Sequence, residues 1–281
     1  MKVVVTGASG LVGRAVVSHF AAESESVLGF DHRALDITNQ SAIENTFASE
    51  RPEVVVNCAA WTDVDGCESD RARAMTANAQ GPELLAMGCS KIGALFITIS
   101  TDYVFDGTSE GFYTQDDEPK PINVYGVSKL EGERRARAAW ARTIIVRSGY
   151  IFGAGGTNFL STLISRASRG ERLAAITDMM GTPTLAADLA ARIYDLAGLD
   201  RPDLYHVVNT GDGASFADFA SCALEKAGLS DDLMQPVTLE SLGRRAPRPR
   251  NSRLRCLRSE ELGLEPLPFW QDSLAQFIAA E

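Results

Sequence analysis

Tyr125 and Lys129 stand four residues apart in the stretch YGVSKLEGE, and Ser100-Thr101-Asp102 closes an apolar run upstream of it. On a helix, a Tyr and a Lys at that spacing share one face, about one turn apart. An ammonium beside a phenol favours the phenolate, so the spacing predicts a Tyr125 pKa drawn down toward working pH. Such a phenol can pass a proton to or from a carbonyl oxygen. A hydroxyl from Thr101 could hold the same oxygen from the other side. A Tyr-x-x-x-Lys match carries little weight alone, so the surrounding elements must supply the context.

The first of those elements lies at the start of the chain. Residues 2–6 are a β-branched run, and Gly7-Ala8-Ser9-Gly10-Leu11-Val12-Gly13 follows directly, before a helical pattern to about residue 22. Strand, glycine turn and helix form the context of a dinucleotide fingerprint. Gly7 permits the turn, Gly10 lets the backbone approach a pyrophosphate, and Gly13 lets the helix pack on the strand. The helix N-terminus then offers free N–H groups and a positive dipole end to phosphate.

Residues 26–30 read as a second strand ending at Asp31. An acid about 20 positions past the glycine turn can bond the adenosine ribose. That geometry favours NAD, whereas the adjacent Arg33 could accept the 2′-phosphate of NADP, so the residues leave the preference open. Asp36-Ile37 lies in a polar turn before a helix over about 41–49. Residues 53–58 form a third strand, with Ala59-Ala60-Trp61-Thr62 opening the loop after it. In a parallel sheet, loops at the carboxyl ends of the strands face the ligand crevice. A long helix over about 70–91 carries Asn78. A fourth strand over 94–100 delivers Thr101 to the same crevice. The pattern from Tyr125 to about residue 142 is helical, and 143–147 is a fifth strand. Unbroken strand–helix alternation implies a parallel sheet covered on both faces.

After Ser148 the character changes. Helices are expected over about 158–169, 186–196, 215–227 and 269–280, with a strand over 204–208. Residues 246–252 make a basic, proline-broken loop whose arginines could hold a diphosphate. This part reads as a smaller lobe built from excursions off the sheet.

The chain has 281 residues, 45% of them hydrophobic, which is enough for a full core. A formal charge of −10 argues against broad nucleic-acid binding. No stretch approaches the roughly 20 apolar residues of a membrane span, and the opening MKVVVTGASG reaches glycine too soon for a signal peptide. The five cysteines, Cys58, Cys67, Cys89, Cys222 and Cys256, form no C-x-x-C pair. Neither a disulfide framework nor a metal site is expected. The expected setting is the cytoplasm.

These marks together resemble the extended short-chain dehydrogenase/reductase family, and within it the dTDP-4-dehydrorhamnose reductase branch. The resemblance spans nearly the whole chain. It rests on Thr6-Gly7-x-x-Gly10-x-x-Gly13, residues 57–65 (NCAAWTDVD), residues 100–107 (STDYVFDG) and Asn123-Val124-Tyr125-Gly126 with Lys129. Gly181-Thr182-Pro183-Thr184 and residues 248–252 (RPRNS) extend it into the second lobe. The family implies an α/β fold: a Rossmann-type doubly wound parallel sheet with a smaller C-terminal α/β substrate lobe. Residues 1–148 would bind the dinucleotide, and 149–281 would mainly bind substrate, with some chain returning to the first domain.

The resemblance also implies an activity, reduction of the C4 keto group of a nucleotide-activated 6-deoxyhexose, dTDP-4-dehydro-L-rhamnose first among them. NADPH would be the cofactor, with NADH the alternative. Tyr125 would donate the proton, Lys129 would hold the ribose and tune Tyr125, and Thr101 would bond the reacting oxygen. Gly7, Ser9, Gly10, Leu11, Val12 and Gly13 would lie at the pyrophosphate, Asp31 and Arg33 at the ribose, and Asp36 and Ile37 near the adenine. Ala59, Ala60, Trp61, Thr62 and Asn78 would line the nicotinamide side. Asp102, Tyr103 and Tyr150 would touch the sugar, and Arg248 the diphosphate.

The chain departs from the family pattern at three points. Tyr150 stands where tryptophan is common, and Asp178-Met179-Met180-Gly181 replaces Asp-Gln-x-Gly. Ala15 stands where some members carry a glutamate used for magnesium at a dimer contact. The first two bear on which sugar nucleotide binds; the third argues against a metal-linked dimer and leaves monomer or homodimer. No nucleic-acid or membrane partner is expected. The rival readings are a reductase of another nucleotide-linked keto sugar, such as a UDP-linked amino sugar, and a non-catalytic NADP-binding regulatory subunit.

Overall fold

The computed structural model describes residues 1–280. Six parallel strands form the central sheet: β1 (Lys2–Thr6), β2 (Ser26–Phe30), β3 (Val54–Asn57), β4 (Leu95–Thr101), β5 (Thr143–Ser148) and a late one at Leu204–His206. Their order is 204–206, β5, β4, β3, β1, β2. Runs such as Val3-Val4-Val5 and Val54-Val55-Val56 are buried throughout, as strands covered on both faces must be. From β1 the chain passes to β2 on one side, then crosses back to β3 on the other. That reversal opens a crevice above their carboxyl ends.

Helices cover both faces: α1 (Leu11–Ala22), α2 (Gln40–Glu50), α3 (Val64–Ser69), α4 (Arg71–Met75), α5 (Gly81–Ile92) and α6 (Val124–Ala139). The single helix expected over 70–91 is interrupted by a π turn at Thr76–Gln80. Such widened turns recur at functional sites; here Asn78 sits in it and reaches the loop after β3. Asn123 caps α6 by accepting from the Gly126 N–H at 2.7 Å, which fixes where the helix begins.

Beyond β5 run β6 (Ile151–Phe152), α7 (Phe159–Ala167), β7 (Leu173–Ile176), β8 (Met180–Gly181), β9 (Thr184–Leu185), α8 (Ala186–Leu199), β10 (Leu204–His206), β11 (Ala214–Ser215), α9 (Phe216–Lys226), β12 (Met234–Val237), α10 (Arg258–Glu261) and α11 (Trp270–Ala280); α8 and β10 return to the large sheet, and most of the rest forms a second lobe. Its own core gathers Phe152, Leu163, Phe219, Trp270 and Leu274. Leu189 and Ile193 of α8 and Tyr205 of β10 pack instead with Val3, Val56 and Ile144 of the large sheet. The parallel pair β7–β12 was not legible in the sequence. Pro236 lies inside β12, tolerable only because that strand lies at an edge. No described helix is long and apolar enough to cross a membrane.

Candidate functional site

Two cavities meet above the sheet, sharing Gly10, Cys58 and Ala60. The first, about 540 Å³, is lined by Gly7, Ser9, Asp36, Ile37, Ala59 and Trp61, together with His32 and Arg73. The second, about 490 Å³, is lined by Leu11, Val12, Thr62, Thr101, Asp102, Tyr103, Tyr125, Lys129 and Tyr150.

The glycine turn is built by close approach. Gly7 has φ +67°, and a Cβ there would lie 2.6 Å from the Ala59 nitrogen. A Cβ on Gly13 would lie 2.1 Å from the Gly7 carbonyl oxygen. Gly13 therefore serves helix packing and does not line the groove. Gly10 begins α1 without a side-chain cap, so the helix N-terminus stays open toward the cavity.

Asn78 does not line either cavity. It clamps Trp61 from behind, accepting from the Trp61 N–H at 2.8 Å and donating to the Trp61 carbonyl at 2.9 Å. It also donates to the Ser128 hydroxyl, which donates to the Tyr125 carbonyl at 2.8 Å. The loop after β3 is thereby tied to the helix that carries Tyr125. Asp31 and Arg33 lie outside both linings. The Asp31 carboxylate accepts from the backbone N–H groups of Arg33 and Ala34 and closes that turn.

Tyr125 is half-buried, its ring edge-on to Tyr103 with centroids 6.0 Å apart. Burial pushes its phenol well above the usual range, and the Asp102 charge adds to this; the nearby Thr101 hydroxyl opposes it. The expected downward shift is therefore overturned. The physical reason is that the Lys129 ammonium donates to the Ile99 carbonyl at 2.7 Å, toward β4, and burial draws its own pKa down to about 8. The phenol is held as an acid.

Asp102 is buried beside it. Its carboxylate accepts from Thr101 at 2.9 Å and from Ser252 at 2.5 Å, yet burial outweighs these bonds and lifts its pKa to about 6. A Cβ on Gly149 would lie 2.5 Å from the Asp102 carboxyl carbon, so the carboxylate depends on a glycine opposite it. Tyr150 is held at φ +47° and packs on Phe216 with ring centroids 4.6 Å apart. Among the described residues, its hydroxyl and that of Ser148 find no hydrogen-bond partner, and both residues line the second cavity. Buried orphan hydroxyls of this kind are costly unless a ligand satisfies them.

Arg248 does not line the cavity. Its guanidinium grips Asp65, Nη2 to Oδ2 at 2.9 Å and Nη1 to Oδ1 at 3.2 Å, and also bears on the Tyr103 phenol at the rim. Asp65 further accepts from the Ala246 N–H at 2.8 Å. Sequence reasoning missed His32, Arg73, Ser252 and Asp65 as neighbours of the site. Signals existed for three of them: Asp65 and Ser252 lie within the motifs at 57–65 and 248–252, and His32 stands between Asp31 and Arg33.

Residues 1–281 match the RmlD substrate binding domain. A dTDP-4-dehydrorhamnose reductase of Streptomyces griseus is 38% identical over 282 aligned residues, covering 98% of this chain and 92% of that one. A probable dTDP-4,6-dihydroxy-2-methyloxan-3-one 4-ketoreductase of Streptomyces antibioticus is 35% identical, covering 100% and 97%. The crystal structure of dTDP-4-dehydrorhamnose reductase from Bacillus anthracis in complex with NADP superposes with a TM-score of 0.96, at 34% identity and 100% coverage of both chains.

Proposed function

The chain belongs to the RmlD substrate binding domain family, and on that premise we propose that it reduces the C4 keto group of a nucleotide-linked 6-deoxyhexose, converting dTDP-4-dehydro-L-rhamnose to dTDP-L-rhamnose with NADPH. One observation carries this reading. Tyr125, Thr101 and Lys129 converge with the orphan hydroxyls of Ser148 and Tyr150 in one cavity, continuous with the groove beside the glycine turn.

The groove fits a dinucleotide. Gly7 and Gly10 leave it open to backbone approach, and the α1 N-terminus suits a pyrophosphate. Gly7, Ser9, Gly10, Leu11 and Val12 would hold that pyrophosphate, Asp36 and Ile37 the adenine, and Ala59 to Thr62 the other end. Asp31 and Arg33 would meet the ribose, where Arg33 would favour a 2′-phosphate. When bound, the reduced nicotinamide supplies a hydride.

The chain's own residues do the rest. The Tyr125 hydroxyl donates its proton to the C4 oxygen as charge builds there, a use for an acid held protonated by burial. Thr101 stands beside the same atom. Lys129 places a buried ammonium close by. Ser148, Tyr150, Asp102 and Tyr103 face the sugar, and Arg248 the diphosphate. The second lobe, from residue 149 onward, supplies most of this substrate wall. We place the protein in the cytoplasm as a monomer or homodimer.

A second reading, a different nucleotide-linked keto sugar, draws support from Tyr150. A Cβ on Gly181 would lie 2.3 Å from its ring, so the segment 178–181, which also departs from the family pattern, ends against the Tyr150 side chain. The test is purified protein with dTDP-4-dehydro-β-L-rhamnose and each reduced nicotinamide, followed by loss of reduced-cofactor absorbance. A panel of 4-keto sugar nucleotides separates the two readings. No oxidation with any of them sinks both.

A further inference from the structure

Beneath Lys129 lies a buried charge cluster that the proposed mechanism does not use. Glu133 follows Lys129 by one turn of α6, and both side chains are about 95% buried, each 5% exposed. Consecutive residues of β4 hold them. The Ile99 carbonyl accepts from the Lys129 ammonium, and the Ser100 hydroxyl donates to Glu133 Oε1. Arg147 of β5 sits opposite Ser100 in the ladder and grips the same carboxylate with two bonds, Nε to Oε1 at 2.9 Å and Nη2 to Oε2 at 2.7 Å. The back of that guanidinium lies over the Phe105 ring, 5.3 Å from its centroid.

We propose that Glu133, held by Arg147 and Ser100 one helical turn from Lys129, is a positioning residue for Lys129: it supplies the buried anion that keeps the Lys129 ammonium charged where the Ile99 carbonyl holds it. The proposal rests on the reductase reading of Lys129 and adds a residue that touches neither substrate nor cofactor. Two features favour it over a merely structural pair. First, a buried ion pair is weak evidence of stability, since apolar residues of similar volume often serve as well. Second, every bond of this cluster runs to the strand end that carries the site, through Ile99, Ser100 and Arg147.

The groups facing Lys129 are few. Cys58 comes from the end of β3, Asp102 and the Ile99 carbonyl from β4 and the turn after it, Arg147 from β5, and Tyr125 and Glu133 from α6 itself. Burial disfavours the charged lysine; Glu133 and then Cys58 work in the other direction. Burial pushes the Cys58 thiol up to about 12, leaving it neutral over the working range, so Glu133 is the effective anion.

The test is direct titration of Lys129. The chain has five lysines, Lys2, Lys91, Lys120, Lys129 and Lys226, so the ε-carbon signals of ¹³C-lysine-labelled protein can be told apart. The Lys129 signal is the one missing from Lys129→Met. In Glu133→Gln its midpoint falls by about one pH unit, the low end of what a nearby opposite charge supplies. The alkaline limb of the kcat/KM profile moves down by the same amount. Arg147→Lys, which keeps an ion pair, leaves the midpoint in place. If Glu133→Gln does not fold, the double change Glu133→Gln with Arg147→Met removes the carboxylate without stranding the guanidinium, and its midpoint falls by less than in the single variant. An unmoved midpoint in either folded variant overturns the proposal. Because the titration needs no substrate, that failure is distinct from failure of the reductase reading, which shows as a wild-type protein that oxidises no reduced nicotinamide.

Discussion

The Thr101 hydroxyl donates to the carboxylate of its neighbour Asp102 at 2.9 Å, while accepting from the Tyr103 N–H at 3.1 Å. A threonine hydroxyl has one proton to give. While Asp102 is ionised, that proton is committed, and Thr101 faces the cavity with a lone pair. To donate to a reacting oxygen it must rotate away from Asp102, or Asp102 must itself be protonated. The state of Asp102 therefore decides what Thr101 offers.

Asp102 also gives a pH signature to stability. Burial raises its pKa from 3.8 to about 6 in the folded protein. The folded state thus holds the proton more tightly than the unfolded state. Stability from this group is full below about pH 4 and falls as pH rises toward 6, by an amount on the order of 3 kcal/mol. Asp102→Asn should abolish that component. The check is the difference between wild-type and variant unfolding free energies across pH 4 to 8. A flat difference means Asp102 is not the buried acid described here.

Tyr125→Phe removes the proposed proton donor and little else. Turnover should fall by at least about 100-fold, the size of lost acid catalysis. NADPH binding, followed by its fluorescence, should persist. Since burial holds the phenol protonated beyond its usual range, any alkaline limb near pH 8 belongs to Lys129 and not to Tyr125. Unchanged turnover in a variant that binds cofactor removes Tyr125 from the reaction.

Tyr150→Phe separates binding from folding. The hydroxyl is buried without a partner, so deleting it relieves a desolvation cost of about 1–3 kcal/mol in the free protein. On the proposed reading, the same deletion takes a hydrogen-bonding group from the sugar. Thermal stability should rise while KM for the sugar nucleotide increases and kcat changes less. A variant that loses stability and keeps its KM would mean that the hydroxyl is satisfied by something other than substrate.

The parts legible in the sequence are those whose causes are local. The glycine turn was readable because Gly7 and Gly13 answer close contacts within a few residues or on the adjacent strand. Tyr125 and Lys129 were readable because four residues make one helical turn. The direction of the Tyr125 shift was not, because it depends on where the Lys129 ammonium finds its acceptor, and that acceptor is a carbonyl 30 residues away. Asn78 was placed at the site, but its role as a clamp behind Trp61 depends on the π turn at Thr76–Gln80, which no propensity marks. The Asp65–Arg248 grip spans 183 positions, and neither residue's neighbours along the chain announce the other.

That grip supports the last prediction. On the proposed reading Arg248 would meet a diphosphate, yet its charge is already matched by Asp65, whose carboxyl it holds down at about 2. Asp65 also fixes the backbone of the same loop through Ala246, and Arg244 approaches it at 3.7 Å. The carboxylate therefore ties Arg248 and the backbone of its loop to the segment after β3. Asp65→Asn keeps an acceptor for the Ala246 N–H but loses the charge-assisted pair. KM for the sugar nucleotide should rise about tenfold, the equivalent of about 1.4 kcal/mol, and amide exchange in residues 244–252 should quicken. Arg248→Met should raise KM at least as far, with kcat nearly kept. A lower KM in Asp65→Asn would show the carboxylate to be a competitor for Arg248, and the loop's order would then need another cause.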